Sequence, residues 1–119
     1  MAVKLSDRSA EFEKRAAFSI MAALCMADKY AENGLFKQFL TIIYKNATDE
    51  RLYVKKAINW ALRNIGKRNK DLKESAINCA NEILKLNNKS GNWIANDALK
   101  ELNEENVRCS DYPRHIYRA

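Results

Sequence analysis

The residues best suited to bind a polyanion lie together in one segment of the chain, from Arg51 to Lys73. This window holds eight basic residues and one acidic residue, Asp71, so its net charge is +7, whereas the rest of the chain carries a net charge of −1. Such a local excess of positive charge is typical of a surface that binds nucleic acid. An ordinary solvated helix face has the same composition, so the charge alone leaves both interpretations open.

The spacing of side chains within this window predicts one binding stripe. Apolar residues recur at helical spacing from Val54 to Ile65, and the opposite side of that helix carries basic, amide and aromatic side chains: Lys56, Asn59, Trp60, Arg63 and Lys67. Lysine and arginine in such a stripe can contact phosphates while the indole ring stacks on a base or a sugar. Arg63 is suited to a two-point phosphate contact. Packing of Trp60 against another helix is the alternative role for that ring.

A second segment combines an aromatic ring with charges in the same way. Trp93 and Asp97 are four residues apart on the polar side of a later helix, with Lys100 close by. Overlaying the apolar stripes places Trp93 at the level of Arg15 and Lys56, so these residues are predicted to line one layer. The alternatives are an ion pair between Asp97 and Lys100, and a Trp93 ring that covers the end of the helical array.

Amphipathic helices are the elements that must position these side chains. Apolar residues at helical spacing predict five of them, at about 9–28, 35–47, 49–66, 71–84 and 92–102. No segment alternates with a period of two for long enough to predict a strand. The chain has only three Gly and one Pro, too few for the many turns of an all-β fold.

The helices repeat. The apolar stripe of the third helix matches that of the fifth at an offset of 37 residues and that of the first at an offset of 41, and a helix-pair period of this size is typical of HEAT or armadillo arrays. We therefore expect an all-α fold, an α–α superhelix of about three helix pairs, with odd-numbered helices in one layer and even-numbered helices in the other. The single HEAT-like domain, 1–119, is expected to comprise repeats 9–47 and 48–86, a partial repeat 90–107 and a tail 108–119.

Cysteine and histidine usage predicts neither a disulfide framework nor a metal site. Cys25, Cys79 and Cys109 are an odd number of widely spaced thiols, and His115 is the single histidine. We predict no metal and no cofactor. The longest nearly apolar run, 16–27, is too short to cross a bilayer, and the N-terminal sequence has no signal-peptide core. We therefore expect a cytoplasmic protein with no membrane partner.

Four stretches of the sequence resemble one known family. The most specific is DERLYVKKAINWALRNIGKRN, from Asp49 to Asn69, and the likeness continues in EKRAAFSIMAAL, LKESAINCANEIL and NWIANDALKEL, over about residues 10–105. These resemble the DNA alkylation repair proteins built from HEAT-like repeats, which are similar to alkylpurine DNA glycosylases. The resemblance implies a positively charged concave surface that holds duplex DNA, and hydrolysis of the N-glycosidic bond of cationic alkylated purines.

The resemblance also implies roles for individual residues. Arg63 matches the arginine of the family's Trp-Ala-Leu-Arg helix and is expected to lie on the DNA face, flanked by three residues of the same block. With the residues predicted from spacing, the DNA-binding set is Lys56, Asn59, Trp60, Arg63, Lys67, Arg68 and Arg15. Trp93 and Asp97 are the candidates to face an alkylated base, and duplex DNA, alkylated or not, is the expected partner.

The sequence departs from the family pattern in one respect. The active-site carboxylate and tryptophan of the family belong to a Trp-Asp-x-x-Asp-like motif upstream of the EKRAAF-type helix, and no such motif occurs in Met1 to Ser9. The chain thus resembles the C-terminal half of the family, as a shortened homologue or a fragment. We expect a DNA-binding repeat protein without the N-terminal catalytic half. The alternatives are an active glycosylase, alone or as a homodimer formed through an exposed terminal repeat, and a protein-interaction scaffold with an acidic partner.

Overall fold

The computed structural model describes residues 11–27 and 31–103, and within them every regular element is an α-helix. The five helices are α1 (Glu11–Ala27), α2 (Asn33–Asn46), α3 (Leu52–Gly66), α4 (Lys70–Lys85) and α5 (Lys89–Leu102). This confirms the all-α prediction. Ser9, the end of the third predicted repeat, Cys109, His115 and the tail 108–119 lie outside the described residues.

The helices form two layers. α3 packs between α1 and α5, while α2 packs against α4. Contacts of α4 with α3 and α5, and of α2 with α3, join the layers. This is the α–α superhelix arrangement that the repeated apolar stripes predict, because each amphipathic helix must bury its stripe against its neighbours.

Apolar side chains from all five helices fill the space between the layers. Phe36 and Phe39 of α2 meet edge to face, with ring centroids 5.6 Å apart, a favourable arrangement for aromatic pairs. The helices α3 and α5 meet at Gly66. A Cβ added to Gly66 would lie 2.7 Å from Cδ2 of Leu102, so any larger residue at this position would have to displace the Leu102 side chain.

The turn that leads into α3 is held by polar contacts to α1 and to the first turn of α5. The Asp49 carboxylate accepts hydrogen bonds from Arg51, at 2.7 Å and 3.0 Å from its guanidinium nitrogens, and from Lys14 of α1 at 3.4 Å. On the other side, the Ser90 hydroxyl donates to the Asp49 carbonyl at 2.6 Å. The hydrogen bond from Arg51, opposed by partial burial, lowers the pKa of Asp49 to about 2. These contacts set where α3 begins relative to α1 and α5.

Asparagine side chains begin the last two helices. Asn69 accepts a hydrogen bond from the Leu72 amide at 2.8 Å, and Asn88 accepts one from the Gly91 amide at 3.1 Å, as N-cap residues do. Asn87, just before the second cap, has a φ of 52°, a left-handed conformation that asparagine tolerates well. None of the five described helices combines the length and the apolar composition needed to cross a lipid bilayer.

Candidate nucleic-acid interface

Three side chains of α3 and that of Lys67, the residue that follows the helix, lie along one side of it. Lys56, Trp60, Arg63 and Lys67 are spaced by four, three and four residues, so they follow one another on the same face. Lys56 is exposed and Trp60 is 43% exposed, whereas Arg63 and Lys67 are half-buried. Trp60 is therefore accessible from solvent rather than covered by another layer of helices.

Aromatic–cation contacts extend this stripe onto α1 and α5. The guanidinium carbon of Arg15 lies 4.8 Å from the ring centroid of Tyr53, which precedes Lys56 by one turn of α3. On the other side, the Lys55 ammonium lies 5.5 Å from the ring centroid of Trp93, which is 40% exposed. Three successive odd-numbered helices thus contribute to one surface. We call it the odd-helix face; it consists of Arg15, Tyr53, Lys55, Lys56, Trp60, Arg63, Lys67, Trp93, Asp97, Lys100 and Glu101.

Carboxylates of α5 meet the two half-buried cations of α3. Glu101 accepts a hydrogen bond from Nη1 of Arg63 at 2.9 Å through Oε2 and contacts the Lys67 ammonium through Oε1. Oδ2 of Asp97 is 3.8 Å from Nε of Arg63. Arg63, Asp97, Glu101 and Lys100 line a shallow, polar pocket of about 350 Å³. The acidic residues of α5 therefore neutralise part of the positive charge of α3.

Glu101 remains negatively charged in this arrangement. Its partial burial favours the neutral acid and would raise the pKa, but the hydrogen bonds from Lys67 and Arg63 favour the carboxylate more strongly. The pKa of Glu101 is consequently held below its ordinary value. At neutral pH, Arg63 and Lys67 face an ionised carboxylate.

Asn59 supports this surface from beneath. Its side chain is only 2% exposed, donates a hydrogen bond to the Ile94 carbonyl of α5 at 3.1 Å, and accepts one from Nε of Arg63 at 2.8 Å. The helical spacing placed Asn59 beside Trp60 on the polar side of α3, but α5 covers that edge of the stripe. Asn59 therefore orients Arg63 and is not exposed to a partner.

One family of known proteins matches this sequence. The sequence model of a family described as DNA alkylation repair enzyme matches residues 2–102, a span that includes all five helices. The chain belongs to the DNA alkylation repair enzyme family. Searches of curated proteins and of solved structures return no match.

In this DNA alkylation repair family member, Arg68 lies in the interior. Its side chain is fully buried; Nη1 donates to the Cys25 carbonyl at 3.0 Å, Nη2 donates to the Ala31 carbonyl at 2.6 Å, and the guanidinium stacks 4.2 Å from the Phe36 ring centroid. Because α3 ends at Gly66, the helical period that predicts an exposed position stops before Arg68. The structure thus separates Arg68 from the other predicted DNA-binding residues.

The odd-helix face contains residues that sequence reasoning did not assign to it. Lys55 and Tyr53 were not predicted, because they lie beside the stripe and only their contacts with α5 and α1 bring them into the face. Glu101 was missed for the same reason: its partners lie 34 and 38 positions earlier in the chain. The repeat offset of 37 is the signal that could have aligned α5 with α3 closely enough to find it.

The even layer of this family member carries a different depression. An apolar pocket of about 400 Å³ lies between α2 and α4, with Tyr44, Asn78 and Cys79 among its lining residues. Burial raises the pKa of the Cys79 thiol to about 12. At neutral pH that thiol is fully protonated and is therefore a poor nucleophile.

Proposed function

We propose that this member of the DNA alkylation repair family binds duplex DNA through the odd-helix face. The observation that carries the proposal is the continuity of that face, in which α1, α3 and α5 bring exposed basic side chains together with exposed tryptophan rings. Phosphate contacts position a protein on the duplex without reading its sequence. A face of this composition suits a repair protein that must act at damage in any sequence.

The residues of the face have distinct proposed roles. Lys56 and Arg15 are exposed and contact phosphates as point charges. Arg63, whose Nε is bonded to Asn59 and whose Nη1 is bonded to Glu101, makes a two-point phosphate contact through Nη1 and Nη2 when Glu101 moves away. Trp60 lies between Lys56 and Arg63 on the helix, where its ring can lie against a sugar or a displaced base.

Trp93 and Asp97 are the proposed lesion-facing residues. The Trp93 ring already has a cation, the Lys55 ammonium, 5.5 Å from its centroid, and an alkylated purine is a cation that can take that place. The Asp97 side chain is 48% exposed and supplies a negative charge four residues along the same helix. This role predicts tighter binding to a duplex containing 7-methylguanine than to an undamaged duplex.

Family membership favours DNA over an acidic protein as the partner, and salt dependence tests the choice. Binding of a fluorescent duplex is measured by anisotropy at several NaCl concentrations, with and without 7-methylguanine. The Lys56→Ala variant is compared with Lys45→Ala, which removes an exposed lysine from α2 in the other layer.

Lys56→Ala is expected to weaken binding to every duplex and to reduce the slope of log K against log salt by about 0.9, the contribution of one phosphate contact. Lys45→Ala should leave both the affinity and the slope unchanged. Absence of salt-dependent binding by the unmodified protein would overturn the proposal, as would equal effects of the two substitutions.

A further inference from the structure

Glu101 binds Arg63 and Lys67 in the way that a phosphate group would. One carboxylate oxygen accepts from the Arg63 guanidinium and the other contacts the Lys67 ammonium, so both cations share a single anion. Two non-bridging oxygens of a phosphodiester can make the same pair of contacts. The three side chains are 26–29% exposed, which means that a phosphate can reach them from solvent once the carboxylate has moved.

The packing of α3 on α5 does not depend on this ion pair alone. The buried hydrogen bond from Asn59 to the Ile94 carbonyl joins the same two helices, and Leu102 packs against the end of α3 at Gly66. Glu101 can therefore leave its partners without separating the helices. After it leaves, the Glu101 side chain can extend into solvent, because Glu101 is in the last turn of α5, one residue before the helix ends.

We propose that Glu101 is an internal competitor of DNA phosphate at Arg63 and Lys67. The inference rests on the proposed DNA-binding function and adds a regulation of the same face. Lys56 and Arg15 contact the backbone first, and Arg63 and Lys67 exchange the carboxylate for a phosphate only when the duplex lies close against α3 and α5. The exchange breaks the ion pairs with Glu101, and only a duplex that contacts both Arg63 and Lys67 compensates for this loss. DNA that does not fit the face therefore binds more weakly.

DNA, and not mild acid, releases Arg63 and Lys67 from Glu101. Hydrogen bonds from Lys67 and Arg63 outweigh the effect of partial burial and keep the pKa of Glu101 below its ordinary value. Protonation therefore does not release the two cations at the pH of a cell. A competing anion of suitable geometry is what displaces the carboxylate.

The test compares Glu101→Gln with Glu82→Gln. Both substitutions remove one negative charge, and Glu82 is an exposed residue of α4 that pairs with a nearby lysine, which makes it the matched control. Duplex binding is measured at several salt concentrations. We expect Glu101→Gln to bind about tenfold more tightly at low salt, with a slope steeper by about one to two phosphate contacts. Glu82→Gln should remain within about twofold of the unmodified protein.

A second variant, Glu101→Asp, keeps the test decisive if Glu101→Gln does not fold. Glu101→Asp keeps the charge, but its shorter side chain cannot reach both cations, so its affinity for DNA should lie between those of the unmodified protein and Glu101→Gln. If Glu101→Gln or Glu101→Asp folds and binds no more tightly than Glu82→Gln, Glu101 is only a structural ion pair and the inference is wrong. In that case Lys56→Ala still weakens binding. If neither the unmodified protein nor any variant binds DNA, the proposed function fails as well.

Discussion

Replacement of Arg68 by methionine separates a structural role of this residue from a role in DNA binding. Arg68 donates to the carbonyl of Cys25, in the last turn of α1, and to the carbonyl of Ala31. Carbonyls in the last turn of a helix have no partner within the helix, and a cation there also interacts favourably with the helix dipole. Arg68 therefore joins the end of α1 to the chain that follows α3.

The expected loss of stability follows from these contacts. Each hydrogen bond from a charged donor contributes about 1.5–3 kcal/mol, and a buried cation–π contact such as that with Phe36 contributes up to about 2 kcal/mol. Methionine recovers part of this through sulfur–aromatic contact, and it removes the cost of burying a charge. We expect Arg68→Met to lower the free energy of unfolding by about 2–4 kcal/mol.

Thermal and urea unfolding measure this change. For a domain of this size, about 2–4 kcal/mol corresponds to a fall in Tm of roughly 10–20 °C. The control is Lys45→Met, which exchanges the same kinds of side chain at an exposed position of α2 and should stay within about 0.5 kcal/mol of the unmodified protein. Well below its melting temperature, Arg68→Met should bind duplex DNA with unchanged affinity, because the side chain is buried.

Two results would refute this reasoning. Equal stability of Arg68→Met and Lys45→Met would mean that the buried hydrogen bonds do not stabilise the fold. A stable Arg68→Met variant that loses affinity for DNA would mean that Arg68 contacts the DNA after all.

Two further substitutions test the packing of α3 and the turn before it. Gly66→Ala should destabilise the protein by about 1–2 kcal/mol in urea unfolding, because the new Cβ would lie 2.7 Å from Leu102. Gly34→Ala is the control, because a Cβ there meets no atom within 4 Å, and it should be neutral or stabilising. A Gly34→Ala variant less stable than Gly66→Ala would contradict the packing. Asp49, with a pKa lowered from 3.8 to about 2, should stabilise the fold by about 1–2 kcal/mol above pH 4 and lose this contribution as the pH falls to 2. Asp49→Asn should therefore be less stable than the unmodified protein at pH 7 and equal to it near pH 2, and a difference that does not change with pH would exclude the ion pair with Arg51 as its source.

The local pattern of the sequence was enough to predict the architecture. Apolar residues at a period of 3.6 predict helices from neighbouring residues alone, and the structure has helices in all five predicted regions. The repeat offsets of 37 and 41 predicted the two layers, because equivalent helices bury equivalent stripes. The stripe of Lys56, Trp60, Arg63 and Lys67 was predicted for the same reason, since the first three lie within one uninterrupted helix and Lys67 directly follows its last residue.

The sequence by itself thus determined the helices, their pairing into layers and the basic character of one face. Only the tertiary structure decided which polar residues are exposed. Asn59 is covered by α5, Arg68 turns inward after α3 ends, and Glu101 reaches Arg63 across the α3–α5 contact. The reason is physical: periodicity reports which side of a helix a residue occupies, whereas burial and ion pairing depend on neighbours that are distant in the chain and are brought together only by packing.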